Sequence, residues 1–259
     1  MKKLYAIVIS LLFVGSFFGV ASILGAQYTS FGANPYRVYD ANYNWIEIKD
    51  TGTEVVWANA GDNPLDDDYV KIDIGFDFPF YGETYNQLYL STNGHIDFSS
   101  GVGNYASYNY YGYKIPTESY SIGTNYWGEN PLIAFLFYDM SFKERGNAYY
   151  QNFGDYLVIE FDAAGMYYGE GTNEGAQTVQ VILYKNGNIK MQYKNITNII
   201  DDHEHPPVIG LDLDDVTGVS YDGPIRNGLA LWFTTGADPD PKSLPIAQIL
   251  KILKENQEN

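Results

Sequence analysis

The sequence predicts an all-β protein, an antiparallel β-sandwich of jelly-roll-like type, and two observations support this prediction. Short runs rich in Val, Ile, Tyr, Phe and Trp recur after residue 40 and are separated by Gly, Asn and Asp, the spacing typical of sandwiches and barrels. Two Asn-Gly pairs, Asn93-Gly94 and Asn186-Gly187, interrupt alternating apolar residues. Because Asn and Gly both tolerate positive φ, each pair predicts a hairpin closed by a type I′ turn.

The apolar runs define the predicted strands. In chain order they are Trp45–Ile48, Glu54–Trp57, Tyr69–Ile74, Gln87–Ser91, His95–Phe98, Leu132–Phe137, Ala148–Gln151, Tyr156–Phe161, Thr178–Tyr184, Ile189–Tyr193, Val208–Leu213 and Leu229–Phe233. The third run continues through Phe76, Phe78 and Phe80, whose alternation places all three rings on one side of a strand. Asp77 and Pro79 face the other way, and a proline at this place predicts an edge strand or a bulge.

Residues 1–26 are predicted to be a secretory signal peptide or an uncleaved signal-anchor. Lys2 and Lys3 precede an almost uninterrupted apolar run from Leu4 to Leu24, the pattern of export signals. The run approaches the roughly 20 residues that span a bilayer, so cleavage and anchoring both stay open. In either case the positive-inside rule keeps the two lysines in the cytoplasm. We therefore expect a secreted or cell-surface, extracytoplasmic protein.

The rest of the chain divides by composition. Residues 27–235 are predicted to be the sandwich domain, with a long tyrosine-rich insertion at 101–127 whose hydrophobic alternation is weak. Residues 236–242, with two Asp-Pro pairs, form a predicted linker that continues neither a strand nor a helix. Residues 243–259 are predicted to be an amphipathic helix, which is too weakly basic to bind a membrane strongly and is expected to dock on protein. Its apolar residues are Leu244, Ile246, Ile249, Leu250, Ile252 and Leu253.

Charge and cysteine content exclude several classes of function. The chain contains 32 Asp and Glu against 15 Lys and Arg, a formal net charge of −17, and no cysteine. A surface so acidic repels phosphate backbones and anionic lipids, which excludes nucleic acid as a partner and leaves the N-terminal segment as the expected membrane contact if it is uncleaved. Without cysteine, neither disulfides nor a lipoprotein anchor can form.

A series of short motifs resembles one known family. Residues 74–82 read Ile-Gly-Phe-Asp-Phe-Pro-Phe-Tyr-Gly, and residues 89–98 read Tyr-Leu-Ser-Thr-Asn-Gly-His-Ile-Asp-Phe. The later landmarks are Leu132–Phe135, Tyr138-Asp139, Leu157–Phe161, Thr178–Leu183 with Asn186-Gly187, and Val208–Leu211. In this order they are similar to the nidogen-type extracellular (NIDO-like) domain and related prokaryotic secreted surface proteins, over roughly residues 69–222. Residues 135–137 depart from the resemblance, since Phe-Leu-Phe stands where the family has proline and tryptophan.

The resemblance implies an extracellular adhesion or matrix β-sandwich without known catalytic residues. We therefore expect a non-enzymatic interaction or surface-structure module that requires no cofactor. Its expected partners are other surface or matrix proteins, or glycans, and self-association stays open. One alternative is a carbohydrate-binding, lectin-like module. Another is a hydrolase, for which Asp50-Thr51-Gly52 mimics an aspartic-protease turn; that chemistry needs two carboxylates sharing a proton, and the motif occurs once.

The tyrosine-rich insertion is the candidate ligand surface. Aromatic faces stack on sugars and suit adaptable protein contacts, because tyrosine offers a large area and a hydroxyl at low entropic cost. The candidate residues are Tyr108, Tyr110, Tyr111, Tyr113 and Trp127. The alternative is that these rings pack over the sandwich and hold the insertion in place.

Metal and modification sites are also candidates. Calcium (Ca²⁺) suits the oxygen ligands of two acidic turns, Asp66–Asp68 and the turn that contains Asp212, Asp214 and Asp215. His203 and His205 have the i, i+2 spacing that places two ligands on one strand face, although the prolines that follow favour a solvated loop. Asn195 begins an Asn-Ile-Thr sequon and is the candidate glycosylation site.

Overall fold

The computed structural model describes residues 28–58, 65–98, 115, 131–168, 172–197, 207–214 and 216–236. This part of the chain forms strands connected by turns and loops. The strands are β1 Tyr28–Phe31, β2 Arg37–Asp40, β3 Thr53–Glu54, β4 Tyr69–Phe80, β5 Glu83–Ser91, β6 His95–Asp97, β7 Leu132–Phe137, β8 Met140–Ser141, β9 Asn147–Asn152, β10 Tyr156–Tyr168, β11 Thr172–Tyr184, β12 Ile189–Asn195, β13 Val208–Asp214, β14 Thr217–Tyr221 and β15 Leu229–Thr234.

The strands form two antiparallel sheets, which confirms the predicted all-β class. The seven-stranded sheet has the order β1-β14-β13-β7-β6-β5-β4. The eight-stranded sheet has the order β2-β15-β12-β11-β10-β9-β3, and β8 also pairs with β10. Consecutive strands lie side by side as meanders, β4 to β7 in one sheet and β9 to β12 in the other. This order differs from the jelly-roll-like wrapping that we expected.

The two sheets share one hydrophobic core. Side chains from both sheets belong to a single buried cluster, in which the rings of Phe135 and Phe161 meet edge to face with centroids 5.0 Å apart. The hydroxyl of Tyr193 on β12 donates a hydrogen bond to the carbonyl of Phe135 on β7, at 2.7 Å. Because Tyr193 is fully buried, this bond satisfies a phenol that would otherwise be costly to remove from water.

Strand β4 confirms the predicted phenylalanine alternation. Phe76, Phe78 and Phe80 are buried, whereas Asp77 and Pro79 are exposed. The ring of Phe78 stacks on those of Phe80 and Phe98, at 6.1 and 5.8 Å between centroids. β4 is an edge strand, and its pairing with β5 has a register shift, so a proline is tolerated there as predicted.

Both predicted Asn-Gly hairpins form, but their turns are not of type I′. Only the glycine of each pair has positive φ, 73° for Gly94 and 85° for Gly187, whereas a type I′ turn needs positive φ at both central residues. In the second hairpin the Gly187 amide donates to the Tyr184 carbonyl at 2.8 Å. This is the longer loop in which a turn is followed by a glycine in the left-handed region.

The predicted strand Trp45–Ile48 is wrong, because this segment pairs with side chains instead of a neighbouring strand. Residues 41–48, here called the strap, cross the outer face of the eight-stranded sheet. The amide of Asn44 donates to the Gln192 side chain at 2.6 Å, and the carbonyl of Asn44 accepts from it at 2.9 Å. Gln180 bonds the backbone of Ile46 in the same two-way manner.

Three predicted segments at the two ends of the chain lie outside the described residues. They are the leader at 1–26, the linker at 236–242 beyond Gly236, and the C-terminal helix at 243–259. Within the described ranges between Tyr28 and Gly236, no helix has the length and apolar character needed to cross a membrane.

Replacing Phe78 by alanine should destabilise the domain strongly. The substitution removes a ring that is 0% exposed and leaves a cavity between the sheets, which typically costs about 3–5 kcal/mol. Urea unfolding followed by tryptophan fluorescence measures the loss. Asp77→Ala, one residue away on the exposed side of β4, is the matched control and should change stability little. Equal stability of Phe78→Ala and the wild type would contradict the placement of this strand in the core.

Candidate functional site

Loops from both sheets converge at one end of the sandwich and enclose a cleft of about 480 Å³, here called the end cleft. Its walls come from the β1–β2 loop at residues 33–36, the β4–β5 turn at 79–82 and the β11–β12 turn at 186–187, with Leu213 of β13, Thr217 of β14 and Thr235 after β15. The volume is within the range of small-molecule and side-chain pockets. The end cleft is therefore large enough to bind a ligand group.

Close contact between two hairpin tips shapes the end cleft. A Cβ atom at Gly187 would lie 2.7 Å from the carbonyl oxygen of Pro79, so only glycine allows the β11–β12 tip to approach the β4–β5 tip. The hydroxyl of Tyr36 donates to the carbonyl of Gly187 at 3.2 Å. These contacts join the two sheets at the rim of the end cleft.

Tyr81 occupies an unusual backbone conformation at this site. Its φ of 48° lies in the left-handed region, which is rare for a bulky residue and tends to mark functional or closely constrained positions. Its ring meets that of Tyr36 edge to face at 5.0 Å, and its hydroxyl donates to the Asn34 side chain at 3.0 Å. The strained backbone is thus fixed by ring packing and a hydrogen bond.

The end cleft presents neutral, mostly apolar chemistry. Burial is the main cause that raises the pKa of Tyr36 and of Tyr81 above the ordinary value, and the charges of Asp212 and Asp214 raise that of Tyr81 further. Both phenols therefore stay protonated at neutral pH. Pro35, Pro79, Phe80 and Leu213 complete the apolar part of the wall. This lining suits apolar or aromatic groups with a few polar contacts at the rim.

A cluster of three carboxylates lies at the opposite end of β4 and β5. Ligand oxygens of Asp66, Asp67 and Asp139 are all within 4.8 Å of one another. The hairpin residue Asn93 links the cluster, since its side-chain nitrogen donates to Asp67 at 3.0 Å and its oxygen accepts from the Met140 amide at 2.7 Å. Carboxylate and amide oxygens are ligands that Ca²⁺ accepts. The acidic turn at 66–68 was a sequence-based candidate, whereas Asp139 was not.

A lysine partly neutralises this acidic cluster. The Lys143 ammonium lies 3.0 Å from a carboxylate oxygen of Asp66. Burial raises the pKa of Asp66 above its ordinary value, and the hydrogen bond and charge of Lys143 act in the opposite direction. Asp68 points elsewhere, because its carboxylate accepts from the Tyr69 amide at 2.8 Å. The described residues therefore form a cluster whose charge is already shared with an internal cation.

Comparison with protein-family models shows that residues 26–225 match the NIDO-related family. This span covers most of the 259-residue chain. The chain belongs to the NIDO-related family. The resemblance inferred from the motifs at 74–98 is therefore confirmed. No curated protein and no solved structure matches the chain.

The predicted aromatic ligand surface of this NIDO-related domain lies outside the described residues, including Tyr108, Tyr110, Tyr111, Tyr113 and Trp127. From the 101–127 insertion only Ile115 is described, and it is buried against the outer face of the seven-stranded sheet. Glycines beneath it provide the space, since Cβ atoms at Gly210 and Gly218 would come within 2.7 and 2.5 Å of the Ile115 side chain. The insertion thus contacts the sheet at this residue.

Of the metal ligands predicted from the second acidic turn and from the histidine pair, only Asp212 and Asp214 are among the described residues. His203, His205 and Asp215 lie outside the described part. Asp212 is buried on β13, while the Asp214 carboxylate accepts from the Val216 amide at 3.0 Å, as in an ordinary Asx turn. Spacing along the chain did not reveal that the 66–68 turn and Asp139 meet, although Tyr138-Asp139 is one of the family landmarks.

The candidate glycosylation site is held against β11. Asn195 lies at the end of β12, and its side-chain nitrogen donates to the carbonyl of Ala176 at 2.7 Å. The hydroxyl of Thr197 accepts from the Ala176 amide at 2.8 Å. Both polar residues of the sequon therefore have structural hydrogen bonds, and glycosylation of Asn195 stays a prediction.

A buried carboxylate lies beside the strap. Glu160 pairs across β10 and β11 with Gln180, whose amide donates to one carboxylate oxygen of Glu160 at 3.2 Å. The other oxygen is buried and has no hydrogen-bond partner among the described residues. Burial, followed by the charges of Glu47 and Asp162, raises the pKa of Glu160 to about 7, against the lowering effects of Lys194 and Gln180. Glu160 is therefore partly protonated near neutral pH.

Glu160 should make the domain less stable as the pH rises. Folding raises the pKa of Glu160, so the folded state holds this proton more tightly than the unfolded chain does. The stabilisation that Glu160 contributes to the free energy of unfolding is fully present below the ordinary pKa of 4.5 and is lost as the pH rises to about 7. The shift corresponds to an upper limit of about 3 kcal/mol. Glu160→Gln removes this titration, so the variant should gain stability relative to the wild type between pH 5 and pH 8.

Urea unfolding at several pH values measures this difference. Groups common to both proteins cancel when the free energies of unfolding are subtracted. Glu54→Gln, which replaces an exposed carboxylate, is the matched control and should show no comparable trend. A stability difference between Glu160→Gln and the wild type that is constant with pH would contradict a raised pKa at Glu160.

Proposed function

We propose that this NIDO-related chain is a non-enzymatic, extracytoplasmic interaction module that contacts its partner through the end cleft. Membership of the NIDO-related family supports an extracellular setting. The export signal predicted at residues 1–26 is consistent with the same setting. An adhesion or surface-structure role follows if the bound partner is itself part of the cell surface or matrix.

The observation that carries the proposal is the convergence of loops from both sheets on an apolar cleft. A sandwich places its loops at its two ends, and such loops are where binding residues concentrate on a rigid scaffold. At this end the tips of two hairpins are fixed by Gly187, Tyr36 and Tyr81. A preformed site of this kind loses little conformational entropy when a partner binds.

The chemistry of the end cleft favours a protein partner that inserts an apolar or aromatic side chain. Its wall residues Pro35, Pro79 and Leu213 offer apolar contact, while Asn186 and Thr235 offer polar contact at the rim. The net charge of −17 disfavours acidic partners at long range. A neutral or basic surface or matrix protein is therefore the partner class that we propose.

A charge placed in the end cleft should weaken partner binding strongly. We expect Leu213→Glu and Pro35→Glu to weaken binding of the fluorescently labelled exported domain to intact source cells by at least tenfold. The reason is that each substitution puts a carboxylate where an apolar group would have to be buried. Flow cytometry over a concentration series measures the binding.

The matched control is Val56→Glu, which changes an apolar residue that is 81% exposed and lies outside the end cleft. It should bind cells as the wild type does. Melting temperatures establish that each variant is folded. Because Pro35 is exposed, Pro35→Glu tests the cleft even if Leu213→Glu does not fold. Undiminished binding by folded cleft variants would overturn the proposed function.

A further inference from the structure

The chain leaves its described part at the rim of the end cleft. Thr235 is one of the residues that line the cleft, and Gly236 is the last described residue after β15. Whatever follows in the chain therefore starts next to this site. The distance that it must cover to reach the cleft is short.

The segment that follows Gly236 carries apolar residues within a short linker length of the end cleft. Residues 237–242 contain two Asp-Pro pairs, and residues 243–259 contain six Leu and Ile side chains, Leu244, Ile246, Ile249, Leu250, Ile252 and Leu253. Six residues of linker reach at most about 20 Å. A tether of that length gives a local concentration on the order of millimolar, which favours docking within one chain over docking between chains.

The end cleft offers apolar surface at the place where this segment begins. Its walls include Pro35, Pro79 and Leu213, and Val216, on the β13–β14 turn beside it, is 65% exposed. The apolar lining of the cleft, with Val216 at its border, can accept an apolar side chain from another segment or partner. The cleft and the apolar residues after 243 are thus complementary in chemistry and close in sequence.

We propose that the end cleft is the docking site of the chain's own residues 243–259, which insert apolar side chains between the hairpin tips. The segment then competes in cis with the external partner. The docking is inferred from the lining of the end cleft and from the position of Gly236 beside it. The competition with an external partner rests on the proposed function. Binding of the partner accordingly requires displacement of the segment.

Cysteine cross-linking tests the docking directly, because these 259 residues contain no cysteine that would compete for cross-linking. Asn186→Cys, at the β11–β12 tip, is combined with Ile249→Cys or with Leu253→Cys. At least one pair should form an intramolecular disulfide under mild oxidation. The matched control pairs the same tail cysteines with Glu144→Cys, an exposed position at the opposite end of the sandwich. We expect the yield at the cleft to exceed that of the control about tenfold.

The gel and mass readout separates the outcomes. An intramolecular disulfide at the cleft supports the proposal. Equal yields at the cleft and at Glu144→Cys overturn it, and so do cross-linked dimers, which would assign the cleft to a second copy. Amide hydrogen exchange of residues 79–82 and 186–187 checks the contact without cysteines. Leu250→Asp should make this exchange faster, whereas the control Gln257→Asp, which changes a polar residue of the segment, should leave the exchange rate unchanged.

Binding to cells then distinguishes docking of the segment from binding of the external partner. If the segment competes with the partner, Leu250→Asp should raise binding to cells several-fold, and Gln257→Asp should leave it unchanged. Failure of cross-linking together with loss of binding in Leu213→Glu would leave the proposed function standing without the docked segment. Cross-linking at the cleft with normal binding by Leu213→Glu would leave the docked segment standing without the proposed function.

Discussion

Packing of aromatic and branched side chains between the two sheets is the constraint on which the rest of the structure depends. The chain has no cysteine, so no covalent link holds one sheet to the other. Phe78, Phe135 and Phe161 all belong to the shared core, and the Tyr193 hydroxyl donates a hydrogen bond to the opposite sheet from within it. The β4–β5 and β11–β12 hairpins belong to different sheets, and their tips come together because the core fixes the distance between those sheets. The end cleft is a consequence of that distance.

On the outer face of the eight-stranded sheet, side-chain amides form the backbone hydrogen bonds that a neighbouring strand would otherwise form. Gln180 and Gln192 each satisfy both backbone groups of one strap residue, Ile46 and Asn44. This arrangement covers Glu160, which is why its charged form is disfavoured. A carboxylate placed beside Glu47 and Asp162 in a covered position makes the strap region sensitive to pH. The same polar row that attaches the strap therefore also introduces a titrating group into the fold.

The two ends of the sandwich differ in chemistry. One end carries the neutral end cleft bounded by Tyr36 and Tyr81, and the other carries the carboxylates of Asp66, Asp67 and Asp139 with Lys143. A module that works by binding can use one end for recognition while the other end is stabilised by polar contacts around Asn93. This division agrees with the proposed function, in which loops supported by a rigid core contact the partner.

The sequence by itself determined the fold class, the phenylalanine face of β4, both hairpins and the family. Each of these depends on local periodicity or on motif order, which can be read from neighbouring residues. Only the tertiary structure decided the turn types, the strap, the partnership of Asp139 with the 66–68 turn, and the end cleft. β1 and β2 also escaped prediction, because short, mostly exposed edge strands such as Tyr28–Phe31 lack apolar alternation. The strap, the partnership of Asp139 and the end cleft are formed by residues far apart in the chain, and their contacts arise only after the sheets have packed. The strap shows the reason most clearly, since the backbone partners of Asn44 and Ile46 are glutamine side chains more than a hundred residues away.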